Sequence, residues 1–277
     1  TDKGNVPLYA TGVVEQPWLS VADVDGDGRD DLVVGAPLED QGATPEAGAI
    51  FVYPGTPDGP GTGSFLFASD ATDHGAAVTA GAVDVFGYAI ATGDFDGDGF
   101  DDLVAGAPER GLVGAVVVWP GSASGLDVAA GQLFQSDDRG CGAPETDDFF
   151  GHALAAGDFD DDGFDDLAIG APGEDASAGQ VCIVRGGASG IDDGNGASYP
   201  QSANGYLDAA SEAGDGFGSA LAVGHFSDGP HDDLAIGSPG EAPSASPAGG
   251  MVSVLFGKSG GTVGDLFSGG VNRSEDD

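Results

Sequence analysis

The sequence predicts an all-β chain made of four copies of one antiparallel sheet, and three observations predict it. Its 52 glycines and 16 prolines interrupt the chain too often for long helices. The segments between them are short β-branched runs, such as Asp31-Leu32-Val33-Val34-Gly35-Ala36-Pro37, which read as buried strands. One acidic pattern also returns at intervals of 64 to 71 residues, in copies that begin at Asp23, Asp94, Asp158 and His225. A hydrophobic content of 40% in such runs means a folded core, and a single domain over residues 1–277 is ordinary for an all-β chain.

Taken in order, each copy holds four strands. In the third copy the innermost strand is expected near 152–158, followed by strands at 166–170 and 179–184 and a looser one near 198–203. Equivalent third strands fall at 48–53, 114–119 and 250–255. There Ile50/Val52, Val116/Val118, Val181/Ile183 and Val252/Val254 alternate with Phe51, Val117, Cys182 and Ser253, so both faces are largely apolar. A sheet covered on both faces by its neighbours is a propeller blade, and the predicted fold is a β-propeller of four-stranded antiparallel blades, four in number. The segment 8–12 resembles the fourth-strand pieces at 66–69 and 133–136, and so does 265–268, which leaves one strand surplus. An N-terminal strand added to the last blade would close the ring, and the alternative is an open half-ring that pairs with a second copy.

The repeated stretch Asp23-Val24-Asp25-Gly26-Asp27-Gly28-Arg29-Asp30-Asp31 returns at 94–102 and 158–166. Carboxylates at its positions one, three, five and nine, with glycine at six, supply the hard oxygen ligands that Ca²⁺ takes at about 2.3–2.6 Å. An EF-hand would need a bidentate glutamate at position twelve, where Val34, Ala105 and Ile169 stand, so the loop is a hairpin turn between two strands. Phe86-Gly87, Phe150-Gly151 and Phe217-Gly218 precede three of the copies, and Gly-Ala-Pro follows at 35–37, 106–108 and 170–172. This pattern resembles the FG-GAP repeat of the integrin α-subunit N-terminal β-propeller. The resemblance implies three Ca²⁺ sites, each bound by the side chains at positions one, three, five and nine and the carbonyl at seven. They are Asp23, Asp25, Asp27 and Asp31 with Arg29; Asp94, Asp96, Asp98 and Asp102 with Phe100; and Asp158, Asp160, Asp162 and Asp166 with Phe164. The first copy has Glu15-Gln16 in place of Phe-Gly. In the fourth, His225, Ser227 and Gly229 replace three aspartates and only Asp233 remains, so no calcium is expected at 225–233.

Charge narrows the partners. With 47 acidic and 7 basic residues the formal charge is −40, a field that repels nucleic acid and anionic lipid. A salty medium that screens the self-repulsion, or a cationic partner, would account for the excess. No apolar run is long enough to cross a membrane, and the only methionine, Met251, suggests a processed or excised chain. Calcium loops of this kind fill at extracellular calcium levels, so a secreted or cell-surface location is expected. Cys141 and Cys182 suit a disulfide in an oxidising compartment, or else one exposed and one buried thiol.

No nucleophile elbow, phosphate loop or dinucleotide fingerprint is present, and His74, His152, His225 and His231 fall in no zinc spacing. The chain therefore reads as a non-enzyme. Alternation of antiparallel strands puts the calcium turns on one rim and the connections 38–47, 109–113, 173–178 and 240–248 on the other, with the returns 70–85, 137–148 and 204–216. That second rim varies most and is the expected recognition face. The integrin resemblance implies an adhesion module with a protein or glycan ligand. The alternatives are a lectin, for which Trp18, Trp119 and Tyr206 are the aromatics to inspect, and a polysaccharide-active enzyme.

Overall fold

A computed structural model describes residues 19–66, 72–73, 76–77, 81, 84–191, 196–202, 212–241, 249–260 and 266–274. The first sheet runs β1 (Leu19–Ala22), β2 (Asp31–Ala36), β3 (Ala49–Tyr53), β4 (Ser64–Leu66). The return after it contributes two short strands, β5 (Thr72–Asp73) and β6 (Ala76–Ala77). They extend the second sheet, whose own strands are β7 (Ile90–Gly93), β8 (Asp102–Ala107), β9 (Ala115–Trp119) and β10 (Gln132–Phe134). The third sheet is β11 (Ala153–Gly157), β12 (Asp166–Ala171), β13 (Gln180–Val184) and β14 (Gly196–Pro200). The fourth is β15 (Ala220–Gly224), β16 (Asp233–Ser238), β17 (Met251–Gly257) and β18 (Phe267–Ser274). Neighbouring strands within each blade pair antiparallel, and only β5 joins β10 in parallel.

The expected strands thus lie within two or three residues of their observed places, the one expected near 198–203 ending at Pro200, with two differences. Residues 70–85 were expected to be a plain connection and instead lengthen the second sheet through β5 and β6. The segment at 265–268 leads into β18, so the last blade takes its fourth strand from its own C-terminal side. The segment 8–12 lies outside the described residues.

Three cores lie between consecutive blades, which is why the strands are apolar on both faces. Val33, Ile50 and Leu66 pack against Leu103, Val117 and Trp119. Val104, Val116 and Phe134 meet Leu154, Leu167 and Ile169, and Ala168, Val181 and Ile183 meet Leu234, Ile236 and Phe267. Burying such side chains contributes about 1.5–3 kcal/mol each. A disulfide joins Cys141 to Cys182, with both residues fully buried, so the alternative of an exposed Cys141 thiol is wrong. It ties the return before the third blade to β13.

The blades are seamed by the repeated dipeptides. The Phe86 N–H donates to Ala47 O (3.2 Å), Phe150 to Val113 O (3.0 Å) and Phe217 to Ala178 O (3.0 Å), so each aromatic anchors its blade to the one before. The following glycine bonds back to its own blade, Gly87 to Gly106 O (2.8 Å) and Gly151 to Gly170 O (3.1 Å). At the seam two glycines meet backbone to backbone. A Cβ on Gly106 would stand 2.0 Å from Gly151 O, and one on Gly170 would stand 2.1 Å from Gly218 O.

The innermost strands pack in sequence, β1 on β7, β7 on β11 and β11 on β15. Among the described residues the fourth blade does not return to the first, and the expected closed ring is corrected to an open arc. Its two end faces are apolar: Leu19 and Val21 at one end, Phe226 and Val252 at the other, are each about half exposed.

Candidate functional site

Each acidic loop is a tight turn between the first two strands of its blade, organised by its own carboxylates. Asp23 accepts from the N–H groups of Asp27 (3.0 Å) and Gly28 (2.8 Å), while Asp25 accepts from Asp27 (3.1 Å). Asp94 does the same for Asp98 and Gly99, and Asp158 for Asp162 and Gly163, at 3.0–3.1 Å. The N–H groups of Arg29, Phe100 and Phe164 donate to the position-five carboxylates Asp27, Asp98 and Asp162. These bonds converge three carboxylates in each loop, Asp23/Asp25/Asp27, Asp94/Asp96/Asp98 and Asp158/Asp160/Asp162, with an oxygen from each within 4.8 Å of the others. The fourth loop forms no such group among the described residues. There His225 lies on the surface with Nε2 3.4 Å from Asp232 Oδ1.

The ninth residue is placed differently. Asp31 accepts from Val24 N (3.2 Å) and Gly55 N (2.7 Å), bracing the loop against the turn after β3. Asp102 and Asp166 make the equivalent pair of bonds, and so does Asp233 in the loop that lost its other acids. The structure thus sets Asp31, Asp102 and Asp166 beside the three-carboxylate groups as buried braces. Burial pushes Asp102 up to about 7 and Asp166 up to about 8, with Asp96 and Asp160 beside them adding to the rise. Burial also lifts Asp31 and Asp96, and it lifts Asp160 to about 6 against the pull of Arg185.

The eighth residue, absent from the sequence-based ligand set, clasps neighbouring blades. Asp101 Oδ2 accepts from Asp23 N (2.8 Å) while Asp101 N donates to Asp23 O (3.2 Å). Asp165 repeats this with Asp94, and Asp232 with Asp158. The repeated Asp-Asp dipeptide was the signal for it. Aromatic rings press on two of the loops: Phe100 lies against Gly26 and Phe164 against Gly97, where a Cβ would come within 2.5 and 2.7 Å of the ring.

The donor set fits a hard divalent cation. It is all oxygen and crowded with like charge, and Asp160 Oδ1 is buried with no hydrogen-bond partner. A bound Ca²⁺ would supply the charge that lets these carboxylates stay ionised together.

The other rim holds a cavity of about 350 Å³, into which the same repeat positions project from three blades. Val85 and Phe149, each just before a Phe-Gly phenylalanine, line it with Tyr88, His152 and Ser219, each just after the glycine. The Tyr88 and His152 rings face each other at 5.0 Å. Val85 and Phe149 both have φ of 57°, a left-handed conformation that is costly for such side chains. Beside the cavity the single helical turn α1 (Glu174–Ser177) has left-handed Asp175, Ala176 and Ser177. On the same connections one buried acid from each of the last three blades meets a different partner. Asp84 pairs with Arg110, Asp148 with Glu174, and Asp215 with Glu241, to which Gln201 also donates (2.7 Å). Burial, then Asp148, Asp175 and Glu145, push Glu174 up to about 7. Trp119 is fully buried and offers no surface platform, while Trp18 and Tyr206 lie outside the described residues.

The family model described as FG-GAP repeat matches residues 17–53, 86–119 and 150–184. Three segments of the chain are thus FG-GAP repeats. Integrin alpha-PS5 of Drosophila melanogaster is 38% identical over 156 residues, which is 56% of this chain and 14% of that protein. Integrin alpha-4 of Xenopus laevis is 38% identical over 55% of the chain, and human integrin alpha-IIb is 35% identical over 60%. The chain spans only about 15% of the length of these relatives. Each matched repeat runs from the first strand, or the Phe-Gly pair just before it, through the acidic loop to the end of the third strand, so the family pattern coincides with the seams and turns described above.

Proposed function

We propose that this integrin-like propeller is a calcium-stabilised recognition module of the cell surface or extracellular space. Asp23, Asp25, Asp27, Asp94, Asp96, Asp98, Asp158, Asp160 and Asp162 hold three Ca²⁺ ions on one rim, with Asp31, Asp102 and Asp166 and the carbonyls of Arg29, Phe100 and Phe164 completing the sites. The opposite rim engages a protein or glycan partner. The observation that carries this reading is the 350 Å³ cavity, lined from three blades and strained at Val85 and Phe149. Strain persists where surrounding structure enforces it, and it clusters at binding sites. The calcium loops lie at the other end of the strands, so in this reading the ions set the blades and the cavity meets the partner. The integrin relatives and the Cys141–Cys182 disulfide support an extracellular place. The test is binding to arrayed matrix proteins and polysaccharides, with calcium and with chelator, for the unaltered chain and for Tyr88→Ala. We expect a calcium-dependent signal that Tyr88→Ala reduces at least tenfold, about 1.4 kcal/mol. A signal untouched by the substitution would place the partner elsewhere.

A further inference from the structure

The third loop differs from the first two in what stands over it. At the residue after the third strand, the first two blades have Pro54 and Pro120, whereas the third has Arg185. The next glycine fixes the backbone there in each case, Gly186 N donating to Asp166 Oδ1 (3.1 Å) as Gly55 does to Asp31 and Gly121 to Asp102. Held in this way, Arg185 turns into the loop and its guanidinium pairs through Nη2 with both Asp160 and Asp162 (2.6 Å to the latter). Those are the third and fifth positions of the three-carboxylate group, and the Asp160 side chain is fully buried. Arg185 Nε is buried without a partner, and so is Asp160 Oδ1. In the first loop, by contrast, Arg29 pairs with the exposed Asp27.

Two further departures occur in the same loop. The fourth position is glycine in the first two loops, and Phe100 and Phe164 from the next blade press on it. In the third it is Asp161, held at φ 57°, and the next blade offers His231 in place of phenylalanine, folded against Gly229. The third loop therefore lacks the aromatic cover of the others and carries a cation of its own.

We propose that Arg185 is a built-in competitor for the third cation site, so that Ca²⁺ enters there only by displacing the guanidinium from Asp160 and Asp162. The third site is then the weakest of the three, and it responds to changes in calcium over a range in which the first two stay filled. This inference rests on the calcium reading of the loops. Displacing a part-buried charge-assisted pair costs on the order of a factor of ten in affinity.

The experiment is calorimetric titration of the calcium-stripped full chain with Ca²⁺. Four proteins are compared: the unaltered chain, Arg185→Pro, which installs the residue of the first two blades, Arg185→Gln, which keeps much of the side-chain length without the charge, and Asp160→Ala. We expect two tight sites and one about tenfold weaker. Both Arg185 variants should tighten the weak site about tenfold, and Asp160→Ala should abolish that site alone. Three equal sites in the unaltered chain, or a weak site unmoved by both Arg185 variants, would overturn the role of Arg185 while leaving calcium binding intact. No heat of binding at any loop would overturn the calcium reading itself.

Discussion

At the residue scale, the glycines at the seams between blades are explained by what a Cβ in their place would meet. Gly106 faces Gly151 O across the seam between blades, and a methyl group there would stand 2.0 Å from that oxygen, backbone against backbone. Gly187 has nothing within 4 Å. Gly106→Ala should therefore destabilise the chain by about 2–3 kcal/mol, since neither blade can yield without opening the core, and Gly187→Ala should change little. Denaturant midpoints of the two variants, measured at saturating calcium, decide it. Equal midpoints would show that the seam is looser than its geometry. The motif glycines were legible in the sequence as repeats, but the reason for them was not, because the contact joins residues of different copies. Val85 was less legible still. Nothing in a β-branched residue announces φ of 57°, and two bonds to the preceding blade enforce it, from Val85 N to Glu46 O (3.2 Å) and from Phe86 N to Ala47 O (3.2 Å).

At the scale of elements, blade, turn and loop were readable because the chain repeats them, and each copy checks the others. The loop acids were found together, yet their division of labour was hidden. Asp31, Asp102 and Asp166 look like ligands in the sequence, and their bonds to Gly55, Gly121 and Gly186 make them braces as well. Strands β5 and β6 escaped because two residues are too short for any periodicity, and pairing creates them, β5 on β10 and β6 on β5. The carboxyl pair at the opposite rim escaped for a similar reason, since Asp148 and Glu174 belong to different connections. Glu174 has an ordinary value of 4.5 and stands at about 7 in the folded chain. A raised carboxyl stabilises fully below its unfolded value, and that stability is lost as pH rises through the folded one. Glu174→Gln should thus match the unaltered chain near pH 4.5 and exceed it at pH 8. The gain should be about 1.5 kcal/mol, roughly half of the full shift at ~1.4 kcal/mol per unit, because water screens part of this cluster. Denaturant melts at the two pH values test it, and an equal difference at both would mean that the pair does not titrate.

At the scale of the molecule, charge and open ends set the behaviour. With a formal charge of −40 and three loops of clustered carboxylates, removing calcium should, on the calcium reading of the loops, loosen the whole arc. Each site held at a hundred times its dissociation constant adds about 2.7 kcal/mol, so chelation should lower Tm by well over 5 °C. A chelated chain that melts within a degree or two of the calcium form would remove the structural role. The end faces lead to a further prediction. Phe95 and Phe159 are fully buried by the next blade, while Phe226 at the same loop position is 53% exposed. Ile50, Val116 and Val181 are covered in the same way, and Val252, their counterpart, is 46% exposed. At the other end Leu19 and Val21 stand where Leu221 and Val223 pack into a core. Each end thus offers one half of an interface that the chain builds three times between its own blades, and Asp30 stands where Asp101 and Asp165 clasp a neighbouring loop. A second copy would supply both missing halves at once, leading face on trailing face, and two such contacts related by a twofold axis would close a ring of eight blades. Like charge opposes this at low salt, and screening over about 3 Å at molar salt removes the opposition. Sedimentation should therefore give 27.1 kDa at low salt and twice that at molar salt with calcium. Phe226→Glu, which places a charge on the trailing face without touching a calcium loop, should hold the mass at 27.1 kDa throughout. If the unaltered chain also stays at that mass in molar salt, the two faces do not recognise each other, and their cover comes from residues other than a second copy.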